Sequence, residues 1–157
     1  MYEFETDDEI FEFAIAREIE AYQLFMALAE KVQNPAISIV FQELAAEELE
    51  HKERLELEVM KSGKVIDTTK ELPVPETKSY EQFIVEDDTG VEMSYTDILQ
   101  MGIAKESASI KIFNELAAMV RSKNSRELFL GLVEEEMRHK IKFKNAYENL
   151  IRHLQED

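Results

Sequence analysis

The sequence predicts an all-α fold, an antiparallel four-helix bundle made of two helical hairpins joined by a long crossover. Three observations predict it. Only 4 Gly and 3 Pro punctuate 157 residues, and apolar side chains recur at three- and four-residue spacing over long stretches. Two connections between these stretches are short, whereas the middle one runs to about 30 residues, unusual inside a compact domain unless it crosses the bundle or carries function. Finally, a shift of 88 residues lays the first half of the chain on the second.

The first helix is expected over about 7–32, opened by the capping box Thr6-Asp7-Asp8-Glu9. The second, about 35–62, starts at Asn34-Pro35, where Asn caps and Pro takes the first helical position, and stops near Gly63. The crossover, about 64–93, holds Pro73 and Pro75, and Tyr80 and Phe83 are expected to pin it to the bundle. The third helix, about 95–121, follows a plausible box at Ser94-Tyr95-Thr96-Asp97. The fourth, about 125–155, begins at Asn124-Ser125-Arg126-Glu127. Residues 1–157 then form a single domain.

Composition narrows the function. Acidic residues number 34 against 18 basic ones, a formal charge of -16, so no basic footprint for nucleic acid is present. No apolar run of about 18 residues spans a membrane. The N-terminus lacks a basic region followed by an apolar one, which predicts a cytoplasmic protein. With no cysteine, a thiol nucleophile, a zinc ribbon or an iron–sulfur cluster is excluded, and any metal must be held by carboxylates and imidazoles.

The repeat carries chemistry as well as packing. The shift places Glu18 on Glu106, and Phe25, Leu28, Ala29 and Val32 on Phe113, Leu116, Ala117 and Val120. It also places Glu47, Glu48 and His51 on Glu135, Glu136 and His139. Each half thus holds one Glu-x-x-His, whose two side chains share a helix face. In the first helix Phe11, Ala14, Ile15, Glu18, Tyr22, Phe25 and Ala29 follow one stripe, and Glu18 is its only charge. Glu106 is alone in the same way among Leu99, Ile103, Ile110 and Phe113. Glu48 with His51, and Glu136 with His139, interrupt the apolar stripes of the other two helices. Counting back to each hairpin turn at about 1.5 Å per residue, Glu18 and Glu48 both lie roughly 21–23 Å from theirs, so the acids of a hairpin meet at one level.

Four carboxylates in an apolar interior must protonate, pair with bases or bind cations, because an unpaired buried charge costs several kcal/mol. No Lys or Arg lies centrally on these stripes, whereas two divalent ions would neutralise four carboxylates. The expected metal ligands are therefore Glu18, Glu48, His51, Glu106, Glu136 and His139. A plain bundle whose polar core only fixes register is the competing reading. Glu47 and Glu135, four residues before the histidines, suit either an orienting contact to an imidazole or a solvated face. Tyr22, one turn from Glu18, suits core packing first and a hydrogen-bonding or redox role second. His153 reads as a solvated surface histidine.

These residues resemble the ferritin-like di-iron carboxylate superfamily, and its rubrerythrin-like branch in particular, over all four helices. A Glu from each of two helices and Glu-x-x-His from each of the others is that superfamily's ligand pattern. The resemblance implies two iron ions per chain, with manganese or zinc as substitutes and no haem. It also implies Glu48 and Glu136 as bridges, Glu18 and Glu106 each on one metal, and one nitrogen each from His51 and His139. The implied activity is oxidoreductase chemistry, in which hydrogen peroxide or dioxygen is reduced with electrons from an external donor protein; a homodimer is the implied assembly. Two departures matter. Rubrerythrins carry a second Glu three residues after the third helix's ligand, where this chain has Ser109, and a cysteine-rich rubredoxin domain, which is missing here. Ser109 brings the ligand set closer to that of bacterioferritin, so iron binding, iron oxidation or storage without peroxidase turnover is the alternative. Bacterioferritin's haem-ligating Met is replaced by Leu49, and no room remains for the short fifth helix usual in cages.

Overall fold

The computed structural model describes residues 3–61, 63 and 91–155, with backbone only for 91–95 and 153–155. Among them are four helices and no strand: α1 (Asp7–Lys31), α2 (Pro35–Lys61), α3 (Val91–Met119) and α4 (Lys123–Gln155). The expected crossover up to residue 90, with Tyr80 and Phe83, and the His153 side chain lie outside the described residues. No helix among those described is long and apolar enough to cross a membrane.

Helix ends follow local chemistry. The Thr6 hydroxyl accepts from the Glu9 N–H, and the Glu9 carboxylate reaches back to the Glu5 N–H at 2.9 Å, with Asp7 and Asp8 also facing the positive end of α1. The Asn34 side-chain carbonyl accepts from Ala36 (3.0 Å) and Ile37 (3.4 Å), and Pro35 takes the first turn of α2. Gly63 closes α2 at φ 90°, its N–H donating to the Met60 carbonyl at 3.0 Å.

Two boundaries differ from expectation. Helix α3 starts at Val91, so Ser94–Asp97 lies inside it. A box-like tetrad also occurs mid-helix, and Val91-Glu92-Met93 contains no breaker, whereas Gly90 does. Helix α4 starts at Lys123 because Ser122 is the cap: its hydroxyl accepts from the Ser125 N–H at 3.3 Å and its carbonyl from Arg126 at 3.0 Å.

Helices α1 and α2 pack along their length, as do α3 and α4, giving two hairpins, with thinner contacts between α1 and α3 and between α2 and α4. The hairpins point in opposite directions, because Asp7 at the start of α1 accepts from the Arg121 and Ser122 N–H groups of the α3–α4 turn at 3.0–3.2 Å. The core falls into two clusters, one around Phe11, Phe113 and Phe129 and the other around Phe25, Phe41 and Phe143. Their members exchange under the 88-residue shift: Phe25, Leu28 and Phe41 of one match Phe113, Leu116 and Phe129 of the other. A pseudo-twofold axis across the bundle requires that exchange. Each fully buried Phe or Leu contributes on the order of 1.5–3 kcal/mol, so both ends are firmly held and the polar layer between them is rigidly framed.

Candidate metal centre

That layer contains Glu18 of α1, Glu48 and His51 of α2, Glu106 of α3, and Glu136 and His139 of α4, none more than 4 % exposed. All six expected ligands are therefore brought together. Each sits where a helix would otherwise present an apolar side chain to the core, and each pair three apart on α2 or α4 faces the same way.

Both imidazoles turn Nδ1 inward. His51 Nδ1 lies 3.0 Å from Glu136, 3.5 Å from Glu18 and 3.7 Å from Glu48. His139 Nδ1 lies 3.0 Å from Glu48, 3.6 Å from Glu106 and 3.9 Å from Glu136. The rings are parallel, with centroids 5.6 Å apart. Each histidine thus approaches the shared glutamate of the opposite hairpin more closely than its own, as the twofold dictates.

The outward nitrogens reach Glu47 and Glu135, so of the two readings open for these acids the orienting contact to an imidazole is the one present. The contacts run between the hairpins: His51 Nε2 contacts Glu135 at 2.8 Å, and His139 Nε2 contacts Glu47. The antiparallel register of α2 against α4 sets this exchange, which periodicity within one helix cannot reveal. Arg54 also binds Glu135 and, with His51, holds its carboxylate below the usual range despite partial burial. The repeat-equivalent Lys142 pairs with Glu43 at 3.6 Å instead. Outside the imidazoles, a cleft of about 300 Å³ is lined by Glu47, Glu135, Arg54, Arg138 and Lys142. Tyr22 is half-buried against the second core cluster, a packing position.

The electrostatics are those of acids crowded together away from water. Burial pushes Glu18 well above the usual carboxylate range, and the neighbouring Glu48 adds to it. Burial likewise raises Glu106, helped by Glu136, and raises Glu136, helped by Glu48. Glu48 alone is held low: burial opposes ionisation, but the close approach of Glu18, His139 and His51 prevails. Burial would lower both histidines, yet contacts from Glu136, Glu18 and Glu48 raise His51, and Glu48 leads in raising His139. Without metal, protons hold the layer together.

Those protons satisfy it poorly. Five carboxylate oxygens (both of Glu18, both of Glu136 and one of Glu106) and His51 Nδ1 are buried without a hydrogen-bond partner. Native structures rarely leave such groups orphaned unless something else fills the space. Two sets of ligand atoms each converge within 4.8 Å: Glu18, Glu48, His51 and Glu136, and then Glu48, Glu106, Glu136 and His139. Glu48 and Glu136 belong to both sets, so two cations sharing two carboxylates match the donors present. Imidazole with carboxylate suits iron, manganese or zinc.

A sequence model of the family described as rubrerythrin matches residues 9–95 and 97–156. No curated protein matches the chain. Among solved structures, a hypothetical protein from Pyrococcus furiosus is similar in fold, with a TM-score of 0.69 and 21 % identity over 94 % of this chain and 92 % of that one.

Proposed function

The chain belongs to the rubrerythrin family, and from that premise we propose that it holds two iron ions and reduces hydrogen peroxide or dioxygen with electrons from an external donor. The observation that supports this most is the pair of buried ligand sets that share Glu48 and Glu136 and leave five carboxylate oxygens unpartnered. In this reading Glu18 and His51 would hold one ion, Glu106 and His139 would hold the other, and Glu48 and Glu136 would serve both. Two divalent charges balance the four carboxylates.

When bound, paired iron supplies two electrons together, which is what cleavage of a peroxide O–O bond to two waters consumes along with two protons. The chain's own residues do the rest. The phenylalanine clusters above and below exclude bulk water, and Glu135 and Glu47 keep each imidazole's Nε2–H directed outward, leaving Nδ1 free for the ion. A second reading, iron oxidation without peroxide turnover, is favoured by Ser109, which is buried at the position where a seventh carboxylate would stand.

Metal analysis after anaerobic iron loading, followed by peroxide consumption with a reductant, tests both. About two irons per chain with near-ultraviolet charge-transfer absorption and reductant-dependent peroxide loss are expected. Iron without reductant-dependent loss of peroxide or dioxygen would leave the second reading, and absence of iron would remove both.

A further inference from the structure

The proposed reaction draws electrons from outside a chain that contains no cysteine, so an entry point for them must exist on its surface. The described residues expose six large hydrophobics: Ile39, Leu57 and Met60 on α2, and Leu130, Met137 and Ile141 on α4. The α4 trio falls on one outward stripe at spacings of seven and four. Met137 lies next in sequence to Glu136, and Ile141 two residues beyond His139.

Beyond Glu134, which stands on the same stripe between Leu130 and Met137, the charge departs from that of the molecule. Residues 137–144 include Arg138, Lys140, Lys142 and Lys144 and no acid, in a chain of formal charge -16. The repeat supplies an internal control. The equivalent stretch 49–56 has Lys52 and Arg54 against Glu50, Glu53 and Glu56, and Glu53 stands where Ile141 does. The ligands are duplicated between halves, as are Met137 (Leu49), Lys140 (Lys52) and Lys142 (Arg54), but Arg138, Ile141 and Lys144 stand where the repeat has Glu50, Glu53 and Glu56, so the metal layer does not require these three. Lys142 is paired with Glu43; Arg138, Lys140 and Lys144 make no ion pair among the described residues.

We propose that this face of α4 is the docking surface for an acidic one-electron carrier protein that reduces the metal centre. The inference rests on the oxidoreductase reading. The basic rim selects an acidic partner against the repulsion of the rest of the surface, and Met137 and Ile141 form the dry centre of the contact. Three half-exposed side chains fall well short of the ~800 Å² per partner of a standard stable interface, which suits a transient encounter better than a permanent subunit contact. The electron path is short, because docked residues alternate along α4 with Glu136 and His139. Two reduced carriers deliver two electrons, and with two protons one hydrogen peroxide becomes two waters.

The test uses the iron-loaded chain with reduced plant-type ferredoxin as the acidic carrier, comparing the wild type with Lys140→Glu/Lys144→Glu and with Ile141→Ser. Stopped-flow reduction of the centre by ferredoxin should slow about tenfold or more in the charge reversal and severalfold in Ile141→Ser, and salt should slow the wild type most. Reoxidation of dithionite-reduced chain by peroxide, which needs no docking, should be the same in all three. Equal ferredoxin rates in the variants, or no ferredoxin reduction of the wild type, would overturn the docking surface alone. Failure of both peroxide and dioxygen to reoxidise the reduced centre would remove the oxidoreductase reading and this inference with it. A wild-type dimer that the charge reversal dissociates would assign the face to a second copy and overturn the carrier.

Discussion

A histidine that binds a metal through one nitrogen does so reproducibly only if its other nitrogen is held. Here the holding groups are Glu135 for His51 and Glu47 for His139, each from the opposite hairpin. Removing such an acceptor typically lowers metal affinity about 10- to 100-fold. Glu135→Ala is therefore expected to weaken one of two metal-binding steps by that factor in a zinc titration, with helix content unchanged, while Glu135→Gln, which keeps a carbonyl acceptor, should lose much less. Equal affinity in Glu135→Ala would mean that the ring is fixed by packing alone. The six inner residues were legible in the sequence because each is a polar interruption of an apolar stripe. The outer pair was only half legible. Its repeat equivalence could be read, but its partners depend on how α2 lies against α4, which no single helix encodes.

At the scale of elements, the two hairpins reach one geometry with different side chains. Gly102 sits against Phe143, and a Cβ there would lie 2.6–2.8 Å from ring atoms. Phe143 is fully buried and packed on Phe25 and Phe41 at 5.7 and 5.2 Å, so it has nowhere to retreat. In the other half the equivalents are Ala14 and Leu55, a larger residue matched to a smaller one. Alanine gains about 1 kcal/mol over glycine in a helix, but overpacking a tight core typically costs about 1–3 kcal/mol. Gly102→Ala should thus be neutral to destabilising in urea unfolding, instead of stabilising as at an exposed helical site. Adding Phe143→Leu recreates the Ala14–Leu55 combination, and the double variant should be more stable than the sum of the single changes predicts. Strict additivity would show that the close approach is not what selects glycine. Helix ends were read nearly as well as helix faces where a cap stands alone, as at Thr6 and Asn34. They were misread where two capping residues compete, as with Ser122 and Asn124, because the sequence does not show which one the turn selects.

For the whole molecule, the twofold arrangement gathers at one level groups that repel one another unless protons or cations intervene. Glu18, Glu106 and Glu136 all titrate above the ordinary carboxylate value in the metal-free fold, and His51 and His139 above the ordinary imidazole value. In each case the folded chain binds its proton more tightly than the unfolded chain does. Stability therefore falls as pH rises, starting above the unfolded carboxylate value of 4.5 for the acids and 6.5 for the histidines. Glu48, held low, acts in the opposite sense, but only below about pH 5, where its unfolded form takes up a proton. Metal binding replaces these protons, so it becomes more favourable with rising pH. The general repulsion of a chain at -16 also weakens the fold, but nearly equally in both forms, and the difference between them removes most of it. Melting curves of metal-free and zinc-loaded protein, from about pH 5.5 to about pH 8, should show the metal-free form losing stability and the stabilisation by zinc widening. A zinc increment that stays constant across that range would mean that the six side chains exchange no protons for metal, and the layer would then be a polar spacer between two cores.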